Sequence, residues 1–88
     1  MKSATYTITN KMGIHARPAA DIAKLVRKHK SDVTIATATK KANGKSVLML
    51  TTLGAKNGTE VTLTVSGEDE EEVFTQLDDM FKNHFYED

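Results

Sequence analysis

The stretch Gly13-Ile14-His15-Ala16-Arg17-Pro18-Ala19-Ala20 sets where the first helix begins. Ala19, Ile22, Ala23 and Val26 fall at i, i+3, i+4 and i+7, the apolar stripe of an amphipathic helix from about Ala16 to Lys28. Pro18 lies in its first turn, where a missing N–H costs nothing because those amides have no partner inside the helix. Gly13 allows a sharp turn and the close approach of another molecule. Upstream, Ala4, Tyr6 and Ile8 alternate with polar neighbours over Lys2–Thr9, the period of a strand. Asn10–His15 is then a loop. Downstream, Val33, Ile35 and Thr37 alternate as a second strand, and a short third strand is expected around Lys40–Ala42.

Farther along, Ser46 precedes Val47-Leu48-Met49-Leu50, and Gly54 closes the run. A serine start and a glycine stop suit a short helix, and a buried strand is the alternative. Asn57-Gly58 marks a turn, and Val61, Leu63 and Val65 alternate as a strand that Gly67 ends. Val73, Leu77, Met80, Phe81 and His84 then fall at helical spacing. The acidic run Glu68–Glu72 begins that last helix, where negative charge meets the positive end of the dipole. Twelve threonines, mostly in the alternating segments, fit a pleated surface. The order β-α-β-β-α-β-α implies an α+β open-faced β-sandwich. Its four-stranded, mostly antiparallel sheet is covered on one face by helices.

The chain has 88 residues and a formal net charge of zero, and the zero conceals a split. Residues 1–59 hold 11 Lys/Arg against two Asp/Glu, whereas residues 60–88 hold one Lys against ten Asp/Glu. The length suits one domain with a compact core. Leu, Ile, Val and Phe total 19 of 88, enough with zero net charge for a folded domain. No cysteine is present, which removes disulfides, thiolate metal sites and thiol catalysis. The amino terminus has no apolar segment of the secretory kind. No apolar run approaches the ~18 residues of a membrane span. A soluble, cytoplasmic monomer is expected. The basic cluster Arg27-Lys28-His29-Lys30 has no interleaved aromatics, so a solvated helix end is preferred to direct nucleic-acid binding.

The chemistry gathers at His15. It stands just before a helix amino terminus, where unpaired N–H groups and the dipole together attract an anion. That field favours an uncharged ring, the form in which imidazole is a nucleophile. Arg17 adds a guanidinium suited to oxyanions. Together these describe a site for a phosphoryl group held on nitrogen. No carboxylate lies nearby to form a triad, and no glycine-rich nucleotide loop or metal-ligand set occurs. No cofactor and no metal is called for. The site could hold and pass on a phosphoryl group but not take one from a nucleotide unaided. The alternative is that His15 merely caps the helix.

The string Gly13–Ala19 resembles the signature of the HPr family, the histidine-containing phosphocarriers of the phosphoenolpyruvate-dependent sugar phosphotransferase system. Asn43-Gly44-Lys45-Ser46 with the apolar run to Leu53-Gly54 is similar to the family's second motif. Gly58–Leu63 and Gly67–Glu71 resemble its closing strand and last helix start. The likeness covers essentially residues 1–88 as a single HPr domain.

The resemblance implies that His15 takes a phosphoryl group on Nδ1 from phosphorylated enzyme I and gives it to a sugar-specific EIIA component. Arg17 and the Ala16 amide would stabilise the phosphohistidine. Such a chain is a relay, not a self-sufficient enzyme. Ser46 matches a position modified in many relatives by HPr kinase/phosphorylase, an event read by a catabolite-control repressor. Ser46 is also a good N-cap in its own right. Ala20, Lys24 and Arg27 on the first helix, with Val47, Leu48 and Met49, match the partner-docking surface. Two other readings stay open. One is a regulatory module acting through Ser46 in carbon catabolite control, against which the presence of His15 argues. The other is a phosphorelay paralogue with non-sugar outputs. Met12, and Ala38-Thr39 where a turn glycine is common, depart from the family pattern. His29 reads as a surface residue and His84 as helix filler. Finally, Arg17, Lys24, Arg27 and Lys45 are expected to make a positive face around His15 with the acids kept largely away.

Overall fold

The structure is a computed structural model that describes residues 1–86. Four strands, β1 (Lys2–Thr7), β2 (Asp32–Ala36), β3 (Lys41–Asn43) and β4 (Glu60–Ser66), form one sheet in the order β1-β4-β2-β3. Every pairing in it is antiparallel. Helices α1 (Ala16–Arg27), α2 (Val47–Thr52) and α3 (Glu70–Lys82) complete the α+β open-faced sandwich.

The sheet is two-faced because the strands alternate. Val61, Leu63 and Val65 of β4 point inward and are buried, with Tyr6 opposite Val61 and Ala4 opposite Leu63. The other face carries hydroxyls. Thr5 meets Thr62 at 3.3 Å and Ser3 meets Thr64 at 3.5 Å across the β1–β4 pair. Threonine suits that surface because its branched stem packs while its hydroxyl stays wet. Ile22 and Val26 of α1 and Val73, Leu77 and Phe81 of α3 close the apolar side. Tyr6 stacks on Phe81 at 4.7 Å, and Phe81 meets Phe85 edge-on at 4.9 Å. The Tyr6 hydroxyl donates to Asp78 at 2.5 Å. Burial, reinforced by that carboxylate, pushes the phenol well above its usual range.

The run after Ser46 is a helix, not a strand. Ser46 Oγ accepts from the Met49 N–H at 3.1 Å and closes its first turn. Six residues cannot hide four consecutive apolar side chains on one side. Leu50 is buried and Val47 half-buried, while Leu48 and Met49 face outward.

Several boundaries differ from the sequence reading. β1 ends at Thr7, because the Ile8 N–H bonds to Thr59 O at 2.9 Å and Ile8 O accepts from the Gly58 N–H at 2.7 Å. Thr37 belongs to a turn. Its N–H reaches Lys40 O at 2.8 Å, and its hydroxyl accepts from the Lys40 N–H at 3.1 Å. A threonine hydroxyl thus shapes the bend at Ala38-Thr39 where a glycine is common. Lys40 closes that turn, so β3 starts one residue later than expected. The acids Glu70, Glu71 and Glu72 occupy the first turn of α3 as expected. Asp69 instead accepts from the Lys30 N–H at 3.0 Å and from the Ser31 hydroxyl, tying α3 to the start of β2. α3 ends at Lys82, and His84 is not part of it. His84, Phe85 and Tyr86 form a tight turn with φ of 53°, 54° and 60°. This left-handed backbone is costly for residues other than glycine.

Candidate functional site

The approach to His15 is built by a long-range contact. Gly13 has φ +66°, and a Cβ there would stand 2.1 Å from Ala55 O. The Ile14 N–H donates to that same carbonyl at 2.9 Å. Asn10 Nδ2 donates to Gly13 O at 2.8 Å. The close approach that glycine allows is therefore taken by the chain's own Ala55 loop, not by another molecule. Met12, beside it, is exposed.

His15 is the N-cap residue of α1, with extended backbone (φ −90°, ψ −167°). Its carbonyl accepts from the Ala19 N–H at 3.0 Å. Its half-buried ring makes no capping bond to the α1 amides. The purely capping role considered for it does not hold. Pro18 has no N–H, so the amides directed out of this helix end are those of Ala16 and Arg17.

Among the described residues, Asp21 and Phe85 both hold Arg17. Nη1 meets Asp21 Oδ2 at 2.9 Å, one turn along α1. Nη2 donates to the carbonyl of Phe85 at 2.6 Å. Phe85 is fully buried, which anchors that carbonyl. His84 shares a hydrogen bond with the Thr9 hydroxyl, and the Tyr86 hydroxyl donates to Asp79. The expectation that acids stay away from the positive face fails at Asp21, which sits directly on Arg17.

Ala20, Lys24 and Arg27 are all exposed, at i, i+4 and i+7 of α1. Leu48 (74% exposed) and Met49 (43%) extend the surface on α2. Val47 packs partly against the core. Arg27 Nε donates to Lys45 O at 3.1 Å, so the loop carrying Ser46 docks on the far end of α1. His15, Ala16 and Arg17 are consecutive at the start of α1, and Ser46 lies beyond its far end. The two ends of this helix are separated by ~18 Å at 1.5 Å per residue.

A family model described as "PTS HPr component phosphorylation site" matches residues 2–83. Phosphocarrier protein HPr of Xylella fastidiosa (strain Temecula1) is 37% identical over 82 residues, covering 93% of this chain and 92% of its own length. The chain belongs to the HPr family. The crystal structure of HPr-C-His from Thermoanaerobacter tengcongensis is 39% identical, with a TM-score of 0.91 over 100% of this chain and 99% of that one. Crh, the Bacillus subtilis catabolite repression protein, crystallised as a dimer with a swapping domain. It is 39% identical, with a TM-score of 0.74 over 84% of this chain and 85% of its own. As an HPr, the chain is a phosphocarrier of the phosphotransferase system. Among the described residues no helix is long and apolar enough to cross a membrane.

Two other histidines of this HPr are placed differently from their sequence reading. His29 is not a free surface residue. Its Nδ1 pairs with Leu25 O at 2.9 Å, and Nε2 lies 3.6 Å from Glu72. The Leu25 carbonyl raises its pKa most, burial opposes it, and Glu72 and Asp69 add smaller raising effects. His84 touches the loop that leads to His15. Sequence reasoning also missed Asp21 and Phe85. Asp21 had a signal, because Arg and Asp four apart on a helix face each other. Phe85 had none, since its contact with Arg17 spans 68 residues.

Proposed function

We propose that His15 accepts a phosphoryl group on Nδ1 from phosphorylated enzyme I and passes it to EIIA components in phosphoenolpyruvate-dependent sugar uptake. The ring nitrogen bonds to phosphorus as the bond to the donor breaks, and the reverse happens at the acceptor. The Arg17 guanidinium and the Ala16 amide hold the phosphoryl oxygens. The observation that carries this reading is the position of His15: at the start of α1, with its ring not used as a cap and Arg17 in the same first turn. Membership of a family defined on a phosphorylation site supports it. Ala20, Lys24, Arg27, Val47, Leu48 and Met49 form the docking surface, and their exposed charge and apolar groups suit acidic partners with an apolar centre. The working species is a cytoplasmic monomer made of one HPr domain, residues 1–88.

Incubation with enzyme I and phosphoenolpyruvate should give an acid-labile, base-stable phosphoprotein. His15→Ala should give none, and equal labelling of that variant would refute the assignment. A second reading adds regulation at Ser46 by HPr kinase/phosphorylase, read by a catabolite-control repressor. Its support is local: Ser46 Oγ stands at the start of α2, where a phosphate would meet the helix amides without unfolding them. ATP-dependent labelling lost in Ser46→Ala tests it. Labelling from ATP without labelling from phosphoenolpyruvate would make regulation the main role.

A further inference from the structure

We infer that Asp21 sets the phosphoryl-transfer potential of His15 by occupying Arg17 and placing a negative charge beside the phosphoryl site. The inference rests on the reading of His15 as the phosphoryl acceptor. Residues 1–59 hold only two acidic side chains, Asp21 and Asp32, and one of the two is on Arg17. The pair joins Nη1 to Oδ2 at 2.9 Å while Nη2 is engaged by Phe85 O. Both partners are about half exposed, at 47% and 46%. Exposed pairs of this spacing add little to stability, so a folding role does not account for it. Its chemical effect is larger. A phosphoryl group on His15 brings up to two negative charges and seeks the guanidinium donors. To meet it, an Arg17 nitrogen must be shared with or released from Asp21. The carboxylate also cancels the formal charge of Arg17 and repels the phosphoryl oxygens. The phosphohistidine is then held less tightly and is passed on more readily. Asp21 acts through Arg17 and is a positioning residue.

The test is an exchange equilibrium. Wild type and Asp21→Asn, one of them isotope-labelled, are mixed with a catalytic amount of enzyme I and limiting phosphoenolpyruvate. Phosphoryl groups then redistribute between the two proteins through enzyme I, one P–N bond forming as another breaks. Asp21→Asn should hold a phospho-to-dephospho ratio on the order of five-fold above wild type at low salt. The excess should shrink at high salt, which screens charge but would not alter a purely structural effect. Asp21→Glu should stay near wild type. Glu71→Gln, which removes an equal charge from the first turn of α3, should show no excess. A ratio for Asp21→Asn equal to or below wild type would overturn the inference. Wild type that takes no phosphoryl group would overturn the function reading itself, and this inference with it, and the two failures look different.

Discussion

At the start of α2 the N-cap side chain closes the helix that it precedes, with Ser46 Oγ accepting from the Met49 N–H at 3.1 Å. At the start of α1 the N-cap side chain does not do so, and the His15 ring makes no capping bond to the helix amides. What α2 secures within four residues, α1 borrows from distant chain. Ala55 O fixes the backbone at Gly13 and Ile14, and Phe85 O fixes Arg17. A helix start held by tertiary contacts does not depend on its N-cap side chain for closure. A helix start closed by its own hydroxyl needs no distant group to satisfy that amide, although α2 as a whole still packs through Leu50.

That contrast can be broken by substitution. The largest stability loss is expected for Phe85→Ala, about 3–5 kcal/mol in chemical denaturation, because a buried ring packed on Phe81 is removed. The same change should slow phosphoryl transfer by loosening Arg17. A variant of wild-type stability would show that the last turn does not support the α1 start. Gly13→Ala should follow, at about 1–3 kcal/mol, since it places a Cβ against Ala55 O at a positive φ. An amide spectrum unchanged around Ala55 would contradict that account. Ser46→Ala should cost about 1 kcal/mol while leaving enzyme I-dependent phosphorylation intact. A larger loss of phosphorylation than of stability would mean that the two starts are coupled.

The smallest effect concerns the opposite end of α1. The Leu25 carbonyl and the Glu72 carboxylate raise the pKa of His29. Its contribution to stability is therefore complete below the usual imidazole value and is lost as pH rises through the folded one. Asp78 runs the other way. The Tyr6 hydroxyl lowers its pKa, so its contribution is present above the usual carboxylate range and is lost as pH falls through the folded value. Denaturation midpoints of wild type and His29→Asn should converge on the alkaline side. Midpoints that keep a constant gap across neutral pH would contradict the His29 assignment.

The fold was legible where pattern and packing agree. Val61, Leu63 and Val65 alternate because β4 is central and one-sided, and Ala19, Ile22, Ala23 and Val26 repeat because one face of α1 meets the sheet. The limits of β3 and of α3 were not legible. Thr37 sets the first through a hydroxyl turn, and the second is set where Phe85 enters the core in a left-handed turn. At the site, His15, Ala16, Arg17 and Ser46 could be picked out from local motifs. The ties from Ala55 and Phe85 could not, since only the folded chain brings those carbonyls to Gly13, Ile14 and Arg17. The overall charge split also misled locally. It predicted a positive face with acids largely away and missed Asp21, which lies on Arg17.

The most direct test of the contrast is amide NMR before and after phosphorylation by enzyme I and phosphoenolpyruvate. A phosphoryl group received at the α1 start should shift the Ala16 and Arg17 N–H signals most, while the Met49 N–H, already bonded to Ser46 Oγ, stays in place. Unmoved signals at Ala16 and Arg17, or a larger shift at Met49, would contradict it.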